Sequence, residues 1–213
     1  MIEFKNVSKK FQDSYILKNF NLKIEEGSKT LIYGKSGIGK TTIIRLLLGF
    51  IKPDEGEIYY NNQRLNSKNI WEVRRITAYI GQNIEIANGT VLEIIKSILK
   101  LKVNENIFFD QQKLIELFNF FELDKTVFEK EYESLSGGEK QRVLIATFIF
   151  LNKKIYLLDE VTSSLDREMK LKVINYFLDK KEWTIISISH DQEWLSAPGI
   201  NVIKMEGQKV GNH

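Results

Sequence analysis

Leu31-Ile32-Tyr33-Gly34-Lys35-Ser36-Gly37-Ile38-Gly39-Lys40-Thr41-Thr42 is the run that decides how this chain folds. Leu31 to Tyr33 is a short apolar stretch that stops at a glycine, as a buried strand does. Thr41 to Leu48 is helix-prone and closes at Gly49, where a left-handed stop residue belongs. Between strand and helix, Gly34 to Thr41 fits the pattern G-x-x-x-x-G-K-[ST]. Its glycines let the backbone fold into a hollow lined by N–H groups. Those donors, with the positive end of the helix, suit the β-phosphate of a nucleotide. Lys40 is expected to reach the β- and γ-phosphates, and the Thr41 hydroxyl to bind Mg2+. The competing reading is a glycine turn ahead of an ordinary core helix, and the strand–loop–helix order argues against it.

Short strands surround this loop. Ile2-Glu3-Phe4-Lys5 and Leu22-Lys23-Ile24 alternate, and Gly56 to Tyr60 and Thr77 to Ile80 read as further strands. The character then changes. Val91, Ile94, Ile95, Ile98 and Leu99 fall at helical spacing, and Leu114, Leu117, Phe118 and Phe121 repeat it. Thr90 to Tyr132 is therefore expected to be helical and inserted into an α/β domain. Beyond it, the strand-like runs Ile155 to Leu158 and Thr184 to Ile188 flank a helical segment, Arg167 to Leu178. That alternation implies a parallel sheet with crossover helices.

The first of those later strands ends in two acids, Ile155-Tyr156-Leu157-Leu158-Asp159-Glu160. A buried strand delivers its terminal carboxylate to the end of the sheet where phosphates bind. One acid must serve a metal and another must orient the nucleophile. Asp159 is expected to hold Mg2+ through its water shell, and Glu160 to polarise the attacking water. By itself such a pair often marks only a strand end; beside the phosphate loop it reads as catalytic.

A third motif is Leu135-Ser136-Gly137-Gly138-Glu139-Lys140-Gln141-Arg142. Ser136 and the Gly137-Gly138 backbone open a helix, so hydroxyl and N–H donors can meet a γ-phosphate. With this motif the chain resembles the ABC (ATP-binding cassette) ATPases, whose signature sequence these residues match without departure. The resemblance runs from about Ile2 to Lys204. It implies an α/β P-loop NTPase fold with a RecA-like core sheet, N-terminal antiparallel β-strands and an inserted α-helical subdomain. Residues 1–213 would form a single ABC ATPase domain, with 1–89 and 143–213 as the core and 90–142 as the helical subdomain carrying the signature. It places Gly34, Lys35, Ser36, Gly37, Ile38, Gly39, Lys40, Thr41 and Thr42 on the nucleotide. It also implies that Ser136, Gly137, Gly138 and Glu139 complete the site of a second subunit, head to tail. ATP and Mg2+ are the implied cofactors, shared at a dimer interface between identical or different subunits.

The resemblance supplies further assignments. Phe11 stands where an aromatic stacks on adenine, with Gln12 in place of the usual glycine; Tyr15 competes for the role, and a plain core aromatic is the alternative. Gln82 resembles the loop glutamine that touches Mg2+ and links the subdomains, against a solvated turn residue. Ser163-Ser164-Leu165-Asp166 resembles the dimer-contact loop, with Ser164 for the usual alanine; Asp166 could instead cap the next helix. Val161 replaces the proline common after the acidic pair. His190, in Ser187-Ile188-Ser189-His190-Asp191, resembles the switch histidine that contacts the γ-phosphate, against a structural histidine. A groove near Gln82 and the Asn83 to Glu93 segment is the expected docking surface, with Ile84, Ile86, Val91 and Leu92 offered to a permease or packed in the core.

Composition sets the outer limits. Hydrophobic residues make up 43% and charged residues 28%, which reads as a soluble globular chain. Net charge is only +3, from 31 Lys and Arg against 28 Asp and Glu, so no nucleic-acid partner is expected. There is no Cys, hence no disulfide framework and no thiolate metal site. No stretch reaches the apolar length of a membrane span, and Met1 to Lys5 lacks a signal-peptide core. The expectation is an ATP-hydrolysing subunit, cytoplasmic and held at the membrane by a separate transmembrane permease. A soluble cassette acting on nucleic acid or ribosomes, a non-catalytic nucleotide sensor and a small-molecule P-loop kinase are the competitors. The single cassette, the intact Glu160 and His190, and the Ser136 to Arg142 signature weigh against them in turn.

Overall fold

A strand that is apolar on both faces needs cover on both faces, and the architecture is built around that need. The computed structural model describes residues 1–81 and 88–205. Its first part contains β1 (Ile2–Phe11), β2 (Ser14–Ile24), β3 (Lys29–Tyr33), α1 (Lys40–Leu47), β4 (Glu55–Tyr60), β5 (Gln63–Arg64), α2 (Ile70–Ile76) and β6 (Thr77–Ile80). Then come α3 (Val91–Leu99), α4 (Gln111–Phe120) and α5 (Gly137–Phe150). The last part contains β7 (Ile155–Asp159), α6 (Arg167–Asp179), β8 (Thr184–Ile188), α7 (Gln192–Leu195) and β9 (Asn201–Lys204).

Two sheets form among the described residues. One is antiparallel, in the order β2-β1-β4-β5, and the other runs β6-β7-β8-β3-β9. Every pairing in the second sheet is parallel. Successive side chains on a strand point to opposite faces, so each inner strand feeds two cores. Ile155 and Leu157 of β7 join Ile43, Ile44 and Leu47 of α1 beneath the antiparallel sheet. Tyr156 and Leu158 turn the other way, onto the buried faces of α5 and α6. α1 is thus held between the two sheets, and its first turn is presented at the end of β3.

The helical insertion folds as its spacing predicts. α3 and α4 bury Ile94, Ile95, Leu114, Leu117 and Phe118 in the same core that covers the sheet. Short 3-10 turns at Lys102–Asn104, Lys125–Glu129 and Tyr132–Ser134 join the helices. α5 runs unbroken through residue 142 and packs on both α4 and β6, so the expected subdomain border lies inside a helix. Patterning did not announce α2, β5, α7 or β9. They are short, and β9 is placed by pairing with β3 rather than by its own alternation.

Candidate active site

Parallel neighbours end together, and this sheet uses that fact. The register sets Asp159 of β7 opposite Ile188 of β8, and β8 also pairs with β3. The residues just past these strand ends, Glu160, His190 and the loop from Gly34, are therefore side by side. This is the end of a parallel sheet where ligands bind.

The loop's conformation demands its glycines. Gly39 sits at φ 100°, and a Cβ there would strike Ile16 of β2. With the turn so closed, Lys40 is buried, and its ammonium donates to the carbonyls of Gly34 (2.7 Å) and Lys35 (2.9 Å). The His190 Nε2 atom lies 3.1 Å from the same Nζ. Burial holds the Lys40 ammonium below its ordinary pKa, while Glu160 and Asp159 pull the other way. Lys35, Ser36 and Gly37 are exposed; Gly34, Ile38, Thr41 and Thr42 are half-buried.

The Thr41 hydroxyl donates to Asp159 Oδ2 at 2.9 Å. Asp159 is only 6% exposed, and desolvation raises its carboxyl above the ordinary range. A hydroxyl and a carboxylate this close are hard oxygen donors of the kind Mg2+ takes, and a buried carboxylate disfavoured as an anion is one that a dication would stabilise. Glu160 has a left-handed φ of 55°, and its Oε1 lies 3.4 Å from His190 Nε2. Lys40, Thr41, Asp159, Glu160 and His190 thus converge at these strand ends.

Other residues lie apart from this cluster. Ser136 caps α5 in a capping box: its hydroxyl accepts from the Glu139 amide at 3.3 Å, and its own amide donates to Glu139 Oε2 at 2.9 Å. The hydroxyl also donates to that carboxylate, and these bonds hold Glu139 below the usual carboxylate range. Ser136 and Gly137 are exposed and Gly138 is half-buried. A Cβ on Gly137 would meet nothing within 4 Å. Phe11, at 44% exposure, is not a core aromatic. Tyr15 beside it is half-buried, with the Lys10 ammonium 4.4 Å from its ring centre. Asp166 caps α6, accepting from the Met169 amide at 2.9 Å.

Gln82, Ile84 and Ile86 lie outside the described residues. Of the other expected docking residues, Val91 is fully buried in the core and Leu92 packs against it. Val91 shares the buried face of α3 with Ile94 and Ile95, and Thr90 starts that helix with a capping box. One site residue was missed by sequence reading. Tyr79 of β6 is half-buried near Asp159: burial raises its phenol pKa, and the Asp159 charge adds to that. The only local signal was a polar-tipped ring in an otherwise apolar strand.

The chain matches the family described as ABC transporter over residues 17–163. It belongs to that family. The cassette is 36% identical over 200 residues to the energy-coupling factor transporter ATP-binding protein EcfA1 of Staphylococcus saprophyticus, an alignment covering 90% of this chain and 73% of that one. EcfA1 of Mycoplasmopsis synoviae is 34% identical over 203 residues, covering 91% and 75%. Among solved structures, a dimeric post-hydrolysis state of the ATP-binding cassette MJ0796 bound to ADP and Pi superposes with a TM-score of 0.82 at 28% identity, covering 97% of this chain and 95% of that one. The cassette thus has the ABC fold that its signature sequence implied. No helix among its described residues is long and apolar enough to cross a membrane.

Proposed function

We propose that this cassette binds and hydrolyses ATP with Mg2+ at a head-to-tail interface between two cassettes, driving transport through a separate membrane-spanning permease. The carrying observation is the convergence of Lys40, Thr41–Asp159, Glu160 and His190 at adjoining strand ends, together with an exposed signature turn at Ser136 and Gly137. The names of the EcfA1 relatives and the dimeric, ADP-and-Pi state of MJ0796 support this reading.

The amides of Gly34 to Thr42 bind the β-phosphate, and Lys40 exchanges its contacts with Gly34 and Lys35 for the β- and γ-phosphate oxygens. Phe11 stacks on the adenine. Thr41 and Asp159, with Gln82, hold Mg2+, which when bound neutralises charge on the phosphates. Glu160 orients the attacking water in line with the bond from the γ-phosphorus to its bridging oxygen, and that bond breaks as the water's oxygen adds. His190 and Lys40 stabilise the transferring phosphoryl group, joined by a second cassette's Ser136, Gly137, Gly138 and Glu139. Asp166 lies on the dimer-contact loop. The helical region of about residues 90–142 passes the closing motion to a permease, which holds the cassette at the cytoplasmic face.

Phosphate release by the purified chain tests this. Glu160→Gln is expected to lower kcat about a hundredfold or more while leaving ATP affinity intact. Hydrolysis at the parental rate would sink the assignment of Glu160.

A further inference from the structure

Beyond the cluster at the strand ends, a partly buried polar chain ties the two loops that carry Glu160 and His190. Asp191, next to His190, accepts from the Thr162 hydroxyl at 2.6 Å and from the Lys170 ammonium at 2.7 Å. The same Thr162 oxygen accepts from Trp194 Nε1 at 3.2 Å. Thr162 and Trp194 are fully buried. The Asp191 amide donates to the hydroxyl of Ser189 at 3.0 Å, closing a turn around His190. Lys170 belongs to none of the sequence motifs. It projects from the first turn of α6, and the side chains of Lys170 and Asp191 are 17% and 18% exposed.

These contacts bear on the reacting groups through the backbone. Glu160 holds a left-handed φ of 55°, unfavourable for a residue with a side chain. Such a conformation persists only where its surroundings enforce it. On one side the Glu160 amide donates to Ile188 of β8 at 2.8 Å. On the other, its carbonyl accepts from Ser163, and Thr162 between them is pinned to Asp191. Burial alone would raise the Asp191 carboxyl; the bonds from Lys170 and Thr162 outweigh it and leave it below the ordinary range. Asp191 is therefore a full anion at neutral pH, and in this half-dry setting its bonds are charge-assisted.

We propose that Lys170 is a positioning residue for ATP hydrolysis: through Asp191 and Thr162 it locks the Glu160 and His190 loops in one relative geometry. The proposal rests on the catalytic reading of Glu160 and His190 given above. It makes Lys170 matter for the chemical step and not for holding nucleotide, which the phosphate loop does.

The test is steady-state ATP hydrolysis by the full chain, with nucleotide affinity and thermal unfolding measured on the same samples. Lys170→Met is expected to lower kcat about tenfold, a loss of about 1.4 kcal/mol in transition-state stabilisation, with KM within about twofold. Lys170→Arg restores most of the rate. Thr162→Val lowers kcat similarly, and adding it to Lys170→Met costs little more, because the two break one unit. Lys172, on the same helix as Lys170, pairs with Glu122 at 2.7 Å; Lys172→Met leaves kcat unchanged. The inference is overturned if Lys170→Met keeps the parental kcat, if Arg fails to restore it, or if Lys172→Met loses as much. Failure of the underlying reading looks different: Glu160→Gln would itself hydrolyse ATP normally.

Discussion

Asp159 is the residue at which stability and function pull apart. Its carboxyl is buried and its pKa is raised mainly by desolvation. The native state therefore keeps a proton at pH values where the unfolded chain has lost it, and stability falls as pH rises from the unfolded value of about 3.9 through the folded one. Asn keeps an oxygen to accept the Thr41 hydroxyl but carries no charge. Asp159→Asn is expected to raise the Tm of the nucleotide-free cassette by roughly 2–4 °C for each kcal/mol relieved, with the gain shrinking as pH approaches about 4. Thermal unfolding across pH checks this; a gain independent of pH would show that desolvation is not the cause. A site that stabilises its protein when disarmed is a common trade-off.

At the scale of elements, two helices begin in the same way. Thr90 with Glu93 and Ser136 with Glu139 each form a capping box. Each cap is made by side chains three residues apart and needs no distant partner. Loss of either hydroxyl is expected to cost about 1 kcal/mol, read by urea unfolding of Thr90→Ala and Ser136→Ala. Hydrolysis should separate them. If the Ser136 hydroxyl serves a neighbouring cassette's γ-phosphate, only Ser136→Ala loses activity beyond its loss of stability. Equal activity losses in the two variants would reduce Ser136 to a cap. Elements without such local signals escaped: α2 and β9 are too short for periodicity to declare, and Val91 stayed open between docking surface and core because spacing cannot say which way a helix is turned.

At the scale of the whole molecule, the signature turn at Ser136 and Gly137 and the tip of the phosphate loop, Lys35 to Gly37, are exposed, and the proposed function has two chains share them. The expectation is a nucleotide-dependent dimer. Glu160→Gln with ATP and Mg2+ should elute as a dimer in size-exclusion chromatography, and the same variant with ADP should not. A chain that stays monomeric with ATP under these conditions would remove the homodimer and leave a heteromeric partner to be found. The two cores hold the parts on either side of the sheet: one fastens α1 and its loop to it, and the other carries the signature helix α5 on its opposite face.

What the amino-acid order determined alone were features made by neighbours in the chain: the strand–loop–helix around Lys40, the acids after an apolar strand, the caps, and the signature turn. Their chemistry lies within a few residues, so the residues spell it. Tertiary structure alone decided that β3 lies beside β8, and that Lys170 and Thr162 close on Asp191 across 21 and 29 residues of chain. Such partners are chosen by packing the whole sheet, and a lysine bound for a buried carboxylate looks, in sequence, like any lysine on the face of a helix.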